Sequence, residues 1–168
     1  MALCFCSTEH CRLADLPIMH YRLCRDADFT ALYEIELACF EPPFRFSRTI
    51  MRRLIADPDS ATWIAEEQDQ MAGFAIVYWS HAPGQPLAYI QTLEVAPTKR
   101  NRGVALELLR RVEESAKLAG AHIIWLHVAE GNTLAIRLYE SHGYIEQGRE
   151  ENFYAKGIPA LLFAKPLT

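Results

Sequence analysis

One stretch, residues 89–105 (YIQTLEVAPTKRNRGVA), does most to limit what this chain can fold into. Its first part is rich in Tyr, Ile, Thr, Leu and Val, the types that suit a pleated, half-buried strand. Pro97 ends that strand, because proline has no N–H to give to a ladder. From Val104 the period changes: Ala105, Leu108, Leu109, Val112, Ala116 and Ala119 fall on one helical stripe. A strand, a basic turn and a helix in that order make a βα unit. The helix start has electrostatic character of its own. Its first N–H groups have no internal partner, and the helix dipole favours negative charge there. Gly103 removes a side chain where an anion would approach the backbone, and Arg100 and Arg102 add charge that pH does not change. The turn is therefore a candidate cradle for a diphosphate. It is not a P-loop, since GxxxxGK[ST] is absent, nor a dinucleotide fingerprint, since Gly103 is its only glycine. An ordinary solvated turn is the alternative that local chemistry leaves open.

The remaining chain reads as alternating short elements. Residues 21–23 form a first strand. Asp26 or Asp28 caps the helix that follows, which carries Leu32, Ile35 and Cys39 on one stripe and ends near Cys39. Residues 39–47 (CFEPPFRFS) are a loop stiffened by two prolines. Its aromatics Phe40, Phe44 and Phe46 either pack it down or line a groove. Ser47 caps a second helix that ends before Asp57. Residues 61–67 and 71–80 form an antiparallel hairpin, with Gly73 marking a bulge or a close backbone approach. Residues 81–86 are a plain loop. Gly120 closes the helix of the central unit. Residues 121–128 are a continuous apolar run, expected to be a strand buried on both faces. Asn132 caps a last helix ended by Gly143, and residues 144–154 and 158–166 are the final strands.

This order is α/β (α+β), with two βα crossovers in the second half. The 168 residues, 51% of them hydrophobic, suit one domain with one core. The domain is expected over residues 18–168, behind a loosely attached extension at residues 1–17. That extension lacks the basic start and apolar centre of a signal peptide, and Met19 is an alternative start. Its Cys4, Cys6 and Cys11 have no second ligand pair at metal spacing, so no metal is expected. A net charge of −4 argues against a general nucleic-acid surface. No apolar run reaches membrane-spanning length. An odd count of five cysteines fits a reducing cytosol, hence a cytoplasmic location.

R-x-x-G-x-A at Arg100, Gly103 and Ala105, following V-x-P at Val95 to Pro97, resembles the acetyl-CoA-binding motif of the GCN5-related N-acetyltransferase (GNAT) superfamily. Residues 123–144 (IIWLHVAEGNTLAIRLYESHGY) resemble that family's next strand and helix, and the matches together cover most of residues 21–167. The resemblance implies a mixed, mostly antiparallel sheet of six to seven strands with a splayed parallel central pair, flanked by four helices. It implies acetyl-CoA as co-substrate and a primary amine as acceptor, in a monomer or homodimer. It assigns the backbone of Leu93, Glu94 and Val95 to the pantetheine arm, in a strand-addition mode. Arg100, Asn101, Arg102, Gly103, Val104 and Ala105 go to the diphosphate. Asn132 also goes to pantetheine, although it serves equally as a cap.

Direct acetyl transfer to an amine needs a neutral amine, a stabilised oxyanion and a protonated leaving thiolate. Tyr89 and His127 lie on the two strands that splay in this superfamily. Segments YIQTL and LHV resemble the eukaryotic Met-peptide-specific N-terminal acetyltransferase, where a Tyr and a His hold a proton-accepting water. The bacterial ribosomal-protein alanine acetyltransferases, which the chain resembles overall, have Glu where His127 stands. An α-amine near pKa 7.7–8.0 and an imidazole near 6.5 are matched partners, at about these reference values. A satisfied core histidine is the plainer reading. Tyr139 resembles the superfamily's general acid at the thiolate, or is a core aromatic. Phe40, Pro43, Phe44 and Tyr154 resemble the peptide-binding positions of N-terminal acetyltransferases. Strand alternation puts Glu94 opposite Tyr89, as a capping or solvent-facing carboxylate. The acceptor is expected to be a protein or peptide N-terminus. The alternatives are a small amine and a non-catalytic acyl-CoA-binding module.

Overall fold

A computed structural model describes residues 18–81 and 86–167. The cysteine cluster of residues 4–11 and the proposed extension lie outside the described residues. Seven strands make one sheet: β1 (His20–Leu23), β2 (Ser60–Glu67), β3 (Gln70–Ser80), β4 (Leu87–Val95), β5 (Ile123–Ala129), β6 (Ile145–Ala155) and β7 (Ile158–Pro166). Their order is β1-β2-β3-β4-β5-β7-β6. Among the described residues, only β4 and β5 pair in parallel; every other neighbouring pair is antiparallel. Four helices cover the sheet: α1 (Phe29–Cys39), α2 (Arg48–Ala56), α3 (Val104–Leu118) and α4 (Thr133–Ser141). None of the described helices is long and apolar enough to cross a membrane.

The helices end where their residues dictate. Ser47 accepts from the Ile50 N–H at the start of α2, and Asn132 from the Ala135 N–H at the start of α4. Gly120 and Gly143 take positive φ after α3 and α4. The cap of α1 differs from expectation. The Asp28 carboxylate accepts from Arg22 and from the Arg25 N–H, closing a short 3₁₀ turn rather than the α1 amides.

Two apolar clusters lie on opposite faces of the sheet. On one, Val104, Leu108, Leu109, Val112 and Ala116 of α3 pack on Ala75, Val77, Ile90, Val95, Ile124, Leu126 and Val128. On the other, Leu32, Tyr33, Ile35 and Met51 of α1 and α2 pack on Ile64, Phe74 and Ile76. The second face is covered only as far as β4. This corrects the expectation for β5, whose burial alternates instead of being continuous. Ile124, Leu126 and Val128 are buried under α3, whereas Trp125 and His127 are half-buried on the face that the described α1 and α2 do not reach.

Two irregularities in the ladder shape the centre. Ile76 pairs with Thr92 but Val77 with Ile90, so Gln91 is an extra residue in β4. A bulge of this kind bends a strand and raises its twist. Beyond it, β4 leaves β5: their pairing runs only from Leu87↔Ile123 to Tyr89↔Trp125. At Gly73, a Cβ would stand 2.5 Å from the Glu94 carbonyl oxygen. The close approach is real, and Ala72 is the extra residue of a second bulge beside it.

Candidate active site

The diverging strands open a V whose edges are Tyr89 on β4 and His127 on β5. Their side chains meet across it, Tyr89 OH to His127 Nδ1 at 2.8 Å. Burial is the main force on both. It pushes the Tyr89 phenol up to about 12, and it lowers the His127 imidazolium, against an opposing pull from Glu150. At neutral pH the phenol therefore keeps its proton, and it donates to Nδ1 in the tautomer that leaves that nitrogen bare. Phe153 of β6 stacks on the imidazole, with centroids 4.1 Å apart and planes at 14°. Tyr154 meets Phe44 of the α1–α2 loop at 4.9 Å, tying that loop to β6.

A cavity of about 520 Å³ runs along the end of β4 and the start of α3. Leu93, Glu94, Val95, Arg100, Asn101, Gly103, Val104, Ala105 and Asn132 line it. Gly103 stands at the cap position of α3 with φ +78°, and no side chain caps the helix there. The first α3 amides are thus free toward the cavity, as an anion requires. What the fold itself needs of Gly103 is its left-handed backbone, since a Cβ would meet nothing within 4 Å. Arg100 lies at the cavity with its Nε donating to the Val95 carbonyl. Arg102 does not line it. Its guanidinium is held by Glu67, which also takes Lys99 at 2.5 Å, so only the backbone of Arg102 is offered to a phosphate. Glu67 is 2% exposed, and Arg102 and Lys99 hold its carboxyl down to about 2. Sequence reasoning missed this anchor because the two cations lie more than thirty residues downstream, with no shared motif.

A second cavity, also about 520 Å³, lies between the α1–α2 loop and the β6–β7 turn. Phe40, Phe44, Gly131, Asn132, Ile158 and Pro159 line it. Pro43 does not. Tyr139 is buried against Tyr144, 5.4 Å between centroids, with its phenol near Tyr89 and Tyr154 and pushed up by burial. The core-aromatic role is therefore visible in its packing.

Glu94 corrects the sequence reading. The extra residue Gln91 reverses the parity of β4, so Glu94 pairs with Phe74 and shares the face of Tyr78 and Tyr89. It is 2% exposed, not solvent-facing. Thr92 donates to one of its oxygens, and the other faces Glu36 of α1. Burial first, and Glu36 second, push its carboxyl up to about 10. The outer oxygens of Glu36 and Glu94 have no other partner, and a proton held between them satisfies both. Glu36 also accepts the Phe46 N–H at 2.6 Å, so this acid pair anchors the α1–α2 loop.

The family model "Acetyltransferase (GNAT) family" matches residues 29–144. The chain belongs to that family. It is 36% identical over 115 residues to streptothricin acetyltransferase of Streptomyces lavendulae, covering 66% of this chain and 60% of that protein. It is 30% identical over 132 residues to a ribosomal protein bS18-alanine N-acetyltransferase of Haemophilus ducreyi, covering 77% and 84%. Arabidopsis thaliana NAA60, solved with acetyl-CoA, has the same fold at TM-score 0.78 and 24% identity, covering 89% of this chain and 99% of that one. The chain thus spans about three fifths of the length of the streptothricin relative.

Proposed function

We propose that this GNAT chain transfers an acetyl group from acetyl-CoA to a primary amine, the N-terminal α-amine of a protein or peptide. The observation that carries this reading is the Tyr89–His127 hydrogen bond at the mouth of two diverging strands. The same chain has an anion-ready helix start at α3 and an aromatic-lined cavity under the α1–α2 loop.

The residues along β4 and α3 fit the co-substrate. The edge of β4 beyond Tyr89 can pair with pantetheine amides through Leu93 and the Val95 N–H, the Val95 carbonyl being held by Arg100. The amides of Gly103, Val104 and Ala105, with Arg100, would hold the diphosphate. Acetyl-CoA supplies the activated acyl carbon and a leaving thiolate. The chain's own part is to orient the amine and move its proton. Phe40, Phe44 and Tyr154 hold the acceptor so that its amine reaches the V. Tyr89 and His127 then accept the amine's proton, directly or through one water, as nitrogen adds to the acyl carbon. Tyr139, close to Tyr89, protonates the thiolate.

A small cationic amine is the second reading, favoured by the 36% identity to streptothricin acetyltransferase. Thiol release from acetyl-CoA, measured across short peptides of varied first residue and across free amines, separates the two. Turnover on peptides is expected; turnover on free amines alone overturns the peptide acceptor. Tyr89→Phe and His127→Ala should each lower kcat by about 10²-fold or more, the scale of positioned acid–base groups. CoA binding with no turnover on any amine would support a non-catalytic module.

A further inference from the structure

His127 meets Tyr89 through Nδ1; in the tautomer that accepts the phenol proton there, the ring's own proton is on Nε2. That nitrogen is buried and has no aligned hydrogen-bond partner. The nearest acceptor is the Glu150 carboxylate on β6, with Oε2 at 3.2 Å. Strand register explains why it is there. His127 pairs with Leu162, Ala129 with Ala160, and Ala160 with Glu150, so Glu150 stands on the same face of the sheet as His127. The two groups differ sharply in access to water. The His127 side chain is 14% exposed and covered by Phe153, whereas that of Glu150 is 59% exposed.

We propose that Glu150 completes a proton path, Tyr89 to His127 to Glu150, that carries the acceptor amine's proton to solvent. The inference rests on the acetyl-transfer reading above. As the N–C bond forms, the amine N–H proton passes to the Tyr89 oxygen. The Tyr89 proton moves to Nδ1, the Nε2 proton moves to the Glu150 carboxylate, and Glu150 gives it to bulk water. A flip of the imidazole resets the ring, and no oxidant or further reactant is needed. One proton leaves here for each one the thiolate takes up elsewhere. A turn of the exposed Glu150 side chain aligns it with the Nε2–H.

The other titratable groups near the ring are phenols: Tyr89 on β4, Tyr78 on β3, Tyr154 on β6 and Tyr139 on α4. The neighbouring Arg149 is engaged by Glu130 and Glu151, so among the described side chains Glu150 has no cation paired to it. Glu150 acts through His127, and it is a positioning and proton-accepting partner rather than a group that touches substrate.

The test compares wild type, Glu150→Gln and Glu150→Asp, by pH profiles of kcat and kcat/KM and by NMR titration of His127 in the resting protein. Glu150→Gln keeps the size of the side chain but not its charge. It should lower kcat about tenfold with KM for acetyl-CoA unchanged. Loss of the carboxylate removes a pull that raises the His127 imidazolium. The NMR midpoint and the acid limb of the profile should therefore both move to lower pH, and Glu150→Asp should recover part of both. A Glu150→Gln kcat within twofold of wild type overturns the path, whatever the midpoint does, and leaves the acetyl-transfer reading standing. Wild type that turns over no peptide and no amine removes that reading and the path with it.

Discussion

Glu36 and Glu94 meet under the α1–α2 loop, where two negative charges could not both stay dry. The folded chain holds a proton there that the unfolded chain, with Glu94 at its ordinary 4.5, releases. The sign follows from linkage. A group raised on folding contributes fully below its unfolded value, and that contribution is lost as pH climbs toward its folded value of about 10. Wild-type Tm should therefore fall between pH 6 and 9. Glu94→Gln, neutral throughout, should fall by several degrees less, since roughly 1 kcal/mol moves Tm by ~3 °C in a domain of this size. Parallel curves in thermal scans would mean that the proton is not there. Asn132 offers a simpler case: it caps α4 and lines both large cavities. Asn132→Ala should cost about 1 kcal/mol by denaturant titration.

At the scale of elements, the turn before α3 is held from outside. Glu67 closes β2 and reaches across to Lys99 and Arg102, fixing the backbone that leads to Gly103. Glu67→Gln should raise KM for acetyl-CoA several-fold while kcat stays near wild type, because the strap orients the cradle and not the proton path. The carboxyl sits near 2, so that effect should be flat from pH 5 to 9. Gly73→Ala would drive a methyl group into the Glu94 carbonyl and should destabilise the fold by about 1–3 kcal/mol in chemical denaturation. Much of this level was legible in the sequence. The positions of Ser47, Asn132, Gly120, Gly143 and Pro97 announce where elements start and stop, because caps and breakers act locally. The alternation of β4 was not legible. A bulge is a property of two paired strands, and nothing around Gln91 marks the residue that goes unpaired, so Glu94 was placed on the wrong face. The apolar run of β5 misled for a related reason: Trp125 faces away from α3, where it lines a cavity with Tyr89 and His127 instead of filling a core. Glu150 carries no spacing signal either, since β6 reaches His127 only through β7.

Over the whole molecule, the sheet has one thick face and one unfinished face. α3 and α4 close the first; α1 and α2 stop at β4 on the second and leave that face of β5 uncovered. The gap is bridged by side chains, chiefly Phe44 against Tyr154. Phe44→Ala and Tyr154→Ala should each raise KM for the amine but not for acetyl-CoA. In a double-mutant cycle the two effects should fall short of additivity by about 0.5–1.5 kcal/mol, as expected for touching rings. Additive penalties would mean that loop and strand bind the acceptor independently. The extra residue at position 91 carries a last consequence. What it contributes is a bend, not a chemistry, so many amino acids should serve in its place. Deleting it would leave Ile90 and Thr92 adjacent, opposite the adjacent Ile76 and Val77, with Leu93, Glu94 and Val95 still on their present faces. The strand should forgive spelling errors there, and a missing letter should cost it only its turn away from β5.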